Sequence, residues 1–371
     1  MTRILVTGGA GFIGSHLVDA LVRRGHQIRV LDALVPQVHG LNATWPTWVP
    51  AEVEKMRGDV TDPAVWSEAL KEIEIVYHLA AEVGVGQSMY EITRYMNANT
   101  MGTAHLLQLL VRGDHSVRKL IVASSMSIYG EGAYRKNSGE KSYPQLRSPA
   151  QLAERKWELY DSSEPLVPIP TAEDKPLYPT SIYAISKRDQ EEMCLAIGRA
   201  YKIPTIALRF FNVYGPRQAL SNPYTGVAAI FSGRLLNGKP PVIFEDGLQS
   251  RDFVHVQDIV QGLLLCMERD EANYEAINIG TGRQLTILDV ANALIHELKV
   301  NVKPQIVNQF REGDIRHCFA DIRKAQRLLG YQPTVRFEQG ISELVEWVRR
   351  QIAEDKVETA VAELSARGLT R

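Results

Sequence analysis

Residues 7–14, with the sequence TGGAGFIG, lie between two apolar segments and carry four glycines, of which Gly8, Gly11 and Gly14 are spaced three residues apart. The preceding run RILV at 3–6 predicts a buried strand, and apolar residues recur at helical spacing over 12–24. Glycines in such a strand–turn–helix unit let the backbone approach a pyrophosphate, and the helix N-terminus offers free N–H groups and a partial positive charge. The segment therefore predicts a dinucleotide site.

The next apolar run, 27–31, predicts a second strand that ends at Asp32. An acidic residue at this distance from the glycines accepts hydrogen bonds from the adenosine ribose. Its charge repels a 2′-phosphate, so Asp32 favours NAD over NADP as the cofactor.

Strands are also predicted over 53–58, 75–79 and 119–123, with a long helical segment over 88–112. This alternation indicates an α/β fold, a doubly wound parallel sheet of the Rossmann type, with a smaller C-terminal substrate-binding lobe. We expect a dinucleotide-binding domain over 1–213, a mainly substrate-binding lobe over 214–350 and a tail over 351–371. An insertion of polar character at about 131–175 is expected to be a lid or a mobile surface loop.

Composition narrows the class of protein. The chain of 371 residues has a formal net charge of −1 with mixed charges, which argues against a nucleic-acid or membrane surface. No apolar stretch approaches the roughly 20 residues that span a bilayer, and Met1 runs almost directly into the first strand. Three widely spaced cysteines indicate a reducing compartment and no metal site. We therefore expect a cytoplasmic protein without a bound metal.

Tyr183 and Lys187 lie at i and i+4 in a predicted helix over 182–201, so they share a face. An ammonium group near a phenol favours the phenolate, which would lower the pKa of Tyr183 and make it a general base for a sugar hydroxyl. Ser125 follows the strand over 119–123 and is placed to bind the same oxygen. These three residues are the predicted catalytic set.

The motifs resemble the extended short-chain dehydrogenase/reductase family, and within it the nucleotide-sugar epimerases. The resemblance rests on the glycine motif, YAISK at 183–187 and, further, on DV at 59–60, HLAA at 78–81, NxNxxGT at 97–103, SS at 124–125, RFFNVYGP at 209–216 and RDFV at 251–254. It covers the chain from Arg3 to about Arg349. It implies a tightly bound NAD, a nucleoside-diphosphate sugar as substrate and a homodimer that pairs the segments 88–112 and 182–201.

The resemblance also implies roles for individual residues. The cofactor residues expected from it and from the glycine motif are Gly8, Gly11, Phe12, Ile13, Gly14, Asp32, Asp59, Val60, Leu79, Ala80, Ala81, Asn99, Ser124, Tyr183, Lys187, Phe210 and Val213. Those expected at the substrate are Ser127, Asn212, Arg251, Arg316 and Cys318. Arginine suits diphosphate oxygens because its planar fork pairs with them. His78 lies in an apolar strand and is assigned to the core, and His317 also receives no catalytic role.

The residues after Ser125 distinguish the reactions of this family. Dehydratases resemble TDEVYG here, because elimination of water needs an acid and a base besides the tyrosine, whereas this chain has Met126 and Ser127. The remaining reaction is 4-epimerisation through a transient 4-keto sugar. The insertion resembles a subgroup that acts on dTDP-L-rhamnose, and the small Cys318 is expected to leave room for a larger sugar. Another nucleotide-sugar activity of the family and a non-catalytic NAD-binding regulator stay open as alternatives.

Overall fold

A computed structural model describes residues 1–41 and 43–370. The strands in this part of the chain are β1 (Arg3–Thr7), β2 (Gln27–Asp32), β3 (Glu54–Arg57), β4 (Ile75–His78), β5 (Lys119–Ser125), β6 (Ala133–Arg135), β7 (Lys141–Ser142), β8 (Tyr160–Asp161), β9 (Glu164–Pro165), β10 (Val167–Ile169), β11 (Thr205–Phe210), β12 (Asn212–Tyr214), β13 (Val242–Ile243), β14 (Ser250–Arg251), β15 (Phe253–His255), β16 (Ala276–Ile279), β17 (Leu285–Thr286), β18 (Gln305–Ile306) and β19 (His317–Cys318).

The α-helices follow the same numbering by chain order. They are α1 (Phe12–Arg23), α2 (Pro36–His39), α3 (Pro63–Ala69), α4 (Val85–Ser88), α5 (Ile92–Tyr95), α6 (Gly102–Leu110), α7 (Pro149–Ala153), α8 (Ile182–Tyr201), α9 (Val227–Leu236), α10 (Val256–Glu268), α11 (Ile287–Leu298), α12 (Arg323–Leu329), α13 (Phe337–Val348) and α14 (Val357–Ala366). A π-helical turn spans Met96–Met101, and short 3₁₀ turns span Met126–Tyr129 and Asp270–Ala272.

The central sheet has seven strands in the order β16-β11-β5-β4-β1-β2-β3, and every neighbouring pair is parallel. Its inner strands are short and mostly apolar, as expected for a sheet that is covered by helices on both faces, whereas the edge strand β3 is polar and largely exposed. One face carries an apolar core with α1 and α10, and the other carries a core with α3, α6 and α8. The predicted α/β fold with a doubly wound parallel sheet is confirmed.

The chain leaves β1 towards β2 and β3, and then returns to place β4 on the other side of β1. Such a reversal of strand order opens a crevice at the carboxyl ends of the strands, where ligands bind in open α/β sheets. Gly8, just after β1, and Ala80, just after β4, approach each other so closely that a Cβ on Gly8 would lie 3.0 Å from the Cα of Ala80. The crevice therefore begins at the glycine motif.

The helix predicted over 88–112 is not a single continuous α-helix. The segment consists of α4, α5, the π-helical turn and α6, with a break at residues 89–91. The side chain of Asn99 in the π-helical turn binds the backbone of Glu82, accepting from its N–H at 2.8 Å and donating to its carbonyl oxygen at 3.0 Å. A π-helical turn adds one residue to the helix. This extra residue is not visible in the apolar periodicity.

The second lobe is built around α9, α11 and α13, whose apolar faces form a separate core. The chain crosses between the two lobes more than once after residue 214. Helix α10 packs against α1, and β16 joins the edge of the central sheet. The range 214–350 thus contributes to both lobes. Among the described residues, no helix has both the length and the apolar character needed to cross a membrane.

The insertion 131–175 is a packed subdomain that lines no part of the crevice, so the expected lid is not observed. Strands β10, β6 and β7 form a small antiparallel sheet within it. Buried charges attach it to the second lobe: both guanidinium nitrogens of Arg147 reach Glu245, at 2.8 and 2.9 Å. Glu245 also accepts from Arg316 at 3.0 Å.

We predict that Glu245→Gln lowers the free energy of unfolding by about 3 kcal/mol, because it leaves two buried guanidinium groups without one carboxylate. Chemical denaturation measures the change. Glu164→Gln, on the exposed β9 of the same insertion, is the control and should change the stability by less than about 0.5 kcal/mol. Equal effects of the two substitutions would contradict the proposed attachment of the insertion.

Candidate active site

The glycine motif forms a tight turn between β1 and α1. Gly8 adopts a φ of 69°, which favours glycine, and a Cβ on Gly14 would collide with the carbonyl oxygen of Gly8. Gly11 is the N-cap of α1, and no side chain caps the helix there. The first N–H groups of α1 therefore face the crevice ready for a pyrophosphate, which fits a dinucleotide.

Asp32 lies at the end of β2 and its carboxylate is fixed by backbone donors. Its Oδ2 accepts from the N–H of Ala10 at 3.0 Å, and its Oδ1 accepts from the N–H of Leu34 at 2.9 Å. These bonds orient an acid at the adenosine end of the crevice, as an NAD site requires.

A single cavity of about 660 Å³ runs from the glycine motif into the second lobe. It is lined by most of the cofactor residues expected from sequence, namely Gly8, Gly11, Phe12, Ile13, Gly14, Asp32, Asp59, Val60, Leu79, Ala80, Ala81, Ser124, Tyr183, Lys187, Phe210 and Val213. Asn99 is the exception, because its side chain is fully buried on Glu82 and on Ser186 and does not line the cavity. Asn99 thus supports the loop that follows β4.

The catalytic candidates meet where α8 packs against β5. Helix α8 begins after Ser181, whose hydroxyl caps it by accepting from the N–H of Ala184 at 3.1 Å. Lys187 is buried on this helix and its Nζ donates to the carbonyl oxygen of Ala123 in β5 at 2.9 Å. Tyr183 lies one turn earlier, with its ring edge-on to Tyr95 at 6.4 Å between centroids.

Ser125 ends β5 and is oriented by the 3₁₀ turn that follows it. Its Oγ accepts from the backbone N–H of Ser127 at 3.2 Å and from the hydroxyl of Ser127 at 2.9 Å. With two donors on this oxygen, the hydroxyl hydrogen of Ser125 is left for the phenol of Tyr183. Ser127, expected at the substrate, lines the cavity and also holds Ser125 in place.

In the part of the chain that the structure describes, Lys187 does not lower the pKa of Tyr183 as expected. Burial raises the pKa of Tyr183, and only a hydrogen bond with Ser125 acts in the opposite direction. Burial also lowers the pKa of Lys187 to about 7. Removal from water is the largest influence on both pKa values, and the ammonium of Lys187 is hydrogen-bonded to the carbonyl oxygen of Ala123.

On the substrate side, Asn212 and Arg251 line the cavity as expected. The Oδ1 atom of Asn212 is buried without a hydrogen-bond partner, which leaves an acceptor for a ligand. Arg251 is held by backbone carbonyl oxygens, with the shortest bond to Ile315 at 2.7 Å. Arg311, which sequence reasoning missed, also lines the cavity and lies over the ring of Phe244 at 4.7 Å.

Two expected substrate residues are corrected. Arg316 is fully buried outside the cavity and is occupied by Asp246 and Glu245, at 2.7 and 3.0 Å from its Nη1. Cys318 lies in β19, buried beneath the cavity wall with its sulfur 3.7 Å from the hydroxyl of Thr171. Arg311 thus lines the cavity, whereas Arg316 is turned into a cluster of carboxylates.

His78 and His317 have structural roles, as expected. His78 is fully buried between the hydroxyls of Thr7 and Thr103, at 2.9 and 3.0 Å, and burial lowers its pKa to about 3. His317 contacts Ser250 at 2.7 Å and Glu158 at 3.1 Å, away from the cavity.

Comparison with known proteins agrees with this geometry. Residues 4–152 and 157–280 match the model of the NAD dependent epimerase/dehydratase family. The chain belongs to this family. Its membership confirms the expected resemblance, and NAD is the cofactor that the site is built to hold.

Individual relatives cover nearly the whole chain. A dTDP-L-rhamnose 4-epimerase from Burkholderia thailandensis is 36% identical over 94% of this chain and 96% of its own length. A UDP-N-acetyl-alpha-D-glucosaminuronate decarboxylase from Bacillus cytotoxicus is 30% identical over 94% of this chain and 98% of its own length. The sequence family thus includes more than one reaction.

Solved structures give the same result for the fold. A UDP-glucose 4-epimerase from Thermotoga maritima, with UDP-glucose, matches with a TM-score of 0.77 at 31% identity, covering 94% of this chain and 99% of that one. A UDP-glucuronic acid 4-epimerase from Bacillus cereus, in complex with UDP-glucuronic acid and NAD, matches with a TM-score of 0.77 at 28% identity and the same coverage.

The buried ammonium of Lys187 predicts a pH-dependent cost in stability. Because its folded pKa of about 7 lies below the unfolded value near 10.4, the unfolded state binds more protons between these values. The cost is therefore full below pH 7 and disappears as the pH rises towards 10. In NAD-free protein, we predict that Lys187→Met raises the free energy of unfolding at pH 6 by at least about 1 kcal/mol.

Denaturation from pH 6 to pH 10 measures this difference, which should shrink as the pH rises. Lys55→Met, at an exposed position of β3, is the control and should show no such trend. A gain in stability that is constant across this range would contradict the depressed pKa of Lys187.

Proposed function

We propose that the protein is an NAD-dependent nucleotide-sugar 4-epimerase. The observation that carries the proposal is the composition of the cavity around Tyr183: Ser125 and Lys187 are present, whereas Met126 and Ser127 stand where elimination would need an acid and a base. This set supports oxidation and reduction at one carbon without loss of water.

Tyr183 and Ser125 have defined tasks in this reaction. In its ionised phenolate form, Tyr183 accepts the proton of the sugar 4-hydroxyl and becomes a neutral phenol, and the hydroxyl of Ser125 donates a hydrogen bond to the same sugar oxygen. Bound NAD supplies the acceptor for the C4 hydride and, once reduced, its donor. After the 4-keto sugar presents its other face, Tyr183 returns the proton, so the product differs only in configuration at C4.

The substrate side supports a nucleoside diphosphate. Arg251 and Arg311 both line the cavity, where Arg311 pairs with Asp314 at 2.7 Å, and the unpartnered Oδ1 of Asn212 can accept from a ligand donor. We propose a dTDP-linked sugar of the L-rhamnose type as the substrate, supported by the 36% identity to the Burkholderia enzyme over nearly the entire chain.

We also propose that the protein is a homodimer. Ile92, Met101 and Ile185 are 49%, 46% and 37% exposed, and they lie on α5, the π-helical turn and α8, which pack against one another. Burial of these side chains against a second copy of the chain would stabilise the dimer through the hydrophobic effect.

The three cysteines are free and buried, which supports the expected reducing, cytoplasmic location.

The proposed reaction is tested by incubating the purified protein with dTDP-, UDP- and GDP-sugars, dTDP-L-rhamnose among them. We predict an equilibrium mixture of two C4 epimers for at least one sugar, seen by proton NMR in the couplings of H4. The matched control is Tyr183→Phe, which lacks only the phenolic oxygen and should turn over at least about a hundredfold more slowly. Release of carbon dioxide, or accumulation of a 4-keto-6-deoxy sugar, would contradict 4-epimerisation.

A further inference from the structure

The C-terminal helix α14 has an apolar face that belongs to neither lobe. Its residues Val357, Ala360, Val361 and Leu364 line the cavity, together with Leu369 after the helix. In the part of the chain that the structure describes, the apolar cores of the two lobes contain no residue of α14. The helix therefore buries its apolar face against the cavity and whatever the cavity holds.

The position of α14 within the cavity is set by its two ends. Leu364 faces Gly86, where an added Cβ would lie 3.4 Å from a methyl of Leu364. Gly86 lies in α4, which packs against α8, the helix that carries Tyr183. Beyond the helix, Thr370 bridges to Arg311. The segment from α14 to Thr370 thus runs from α4 to Arg311, which is where the proposed substrate would place its sugar.

Polar contacts on the other side of α14 hold it in this position. Glu363 accepts from the hydroxyls of Tyr90 and Tyr224, at 2.8 and 2.9 Å. Arg367 lies over the ring of Tyr90 at 4.2 Å. Before the helix, the buried Asp355 pairs with Arg234 at 3.3 Å. Of these groups only Tyr224 lines the cavity, and the residues of α14 that line it carry only hydrocarbon side chains.

We infer that α14 is the specificity-determining wall of the sugar subsite and selects a sugar with a methyl group over one with a carboxylate. The inference rests on the proposed nucleotide-sugar 4-epimerase activity and defines its substrate class as 6-deoxyhexoses. A hydrocarbon wall gains free energy by covering a methyl group. It offers no donor to a carboxylate, whose burial without a partner is costly.

The inference is tested by the ratio of kcat/KM for dTDP-L-rhamnose to that for UDP-glucuronic acid, compared between variants so that the difference in base cancels. Where UDP-glucuronic acid is not turned over, its inhibition constant takes the place of its kcat/KM. Val361→Lys places an ammonium group on the wall and should lower the ratio at least about tenfold, the scale of discrimination by an apolar pocket. Ala362→Lys places the same charge on the exposed side of α14 and should change the ratio less than about twofold.

Val361→Ser provides a milder variant if the lysine disturbs folding. It should raise KM for dTDP-L-rhamnose severalfold with little change in kcat, because it removes binding that the ground and transition states share. Thermal unfolding and the content of bound NAD identify any misfolded variant, and Val361→Ile should keep the wild-type ratio.

An unchanged ratio in Val361→Lys, or a wild-type enzyme that uses both sugars equally, would overturn the inference while leaving the epimerase function in place. A wild-type enzyme that epimerises no nucleotide sugar would instead remove the proposed function, and the inference with it. The two failures are therefore distinguishable.

Discussion

The site depends on the packing of α8 against β5. The bond from Lys187 to the carbonyl oxygen of Ala123 joins a buried ammonium to the central sheet, and it fixes the rotation of α8 that places Tyr183 beside Ser125. Burial raises the pKa of the phenol and lowers that of the ammonium, so the pair is held in a strained electrostatic state by the surrounding fold.

The first lobe was predictable from sequence because its signals are local. The strand before Gly8, the acid at Asp32 and the helix that carries Tyr183 follow from apolar periodicity and from the chemistry of the turn residues. The π-helical turn at Met96–Met101 was not predictable, since it depends on the contact of Asn99 with a distant loop. Arg316 and Arg311 could not be distinguished by residue type, because the tertiary partners Glu245 and Asp246 decide which arginine is buried. The packed insertion and the cavity-lining α14 depend on such long-range contacts too.

The two lobes have different roles: the first carries the NAD site and Tyr183, and the second faces the substrate. The central sheet and α8 provide a redox site that the family uses for more than one reaction, as its epimerase and decarboxylase members indicate. The second lobe and the helix α14 line the other end of the same cavity, and the insertion docks on the second lobe through Arg147 and Glu245 without lining it. Differences between members in substrate can therefore arise at the periphery without any change at Tyr183.

The central claim is that the hydride taken from C4 returns to C4 of the same sugar. The most direct measurement uses dTDP-L-rhamnose that carries deuterium at C4, with the products followed by NMR and mass spectrometry. We predict that the C4 epimer keeps its deuterium, gains no hydrogen from water and transfers no label to added NAD. Loss of the label to solvent, or its appearance in external NADH, would contradict an epimerase that works by internal hydride return.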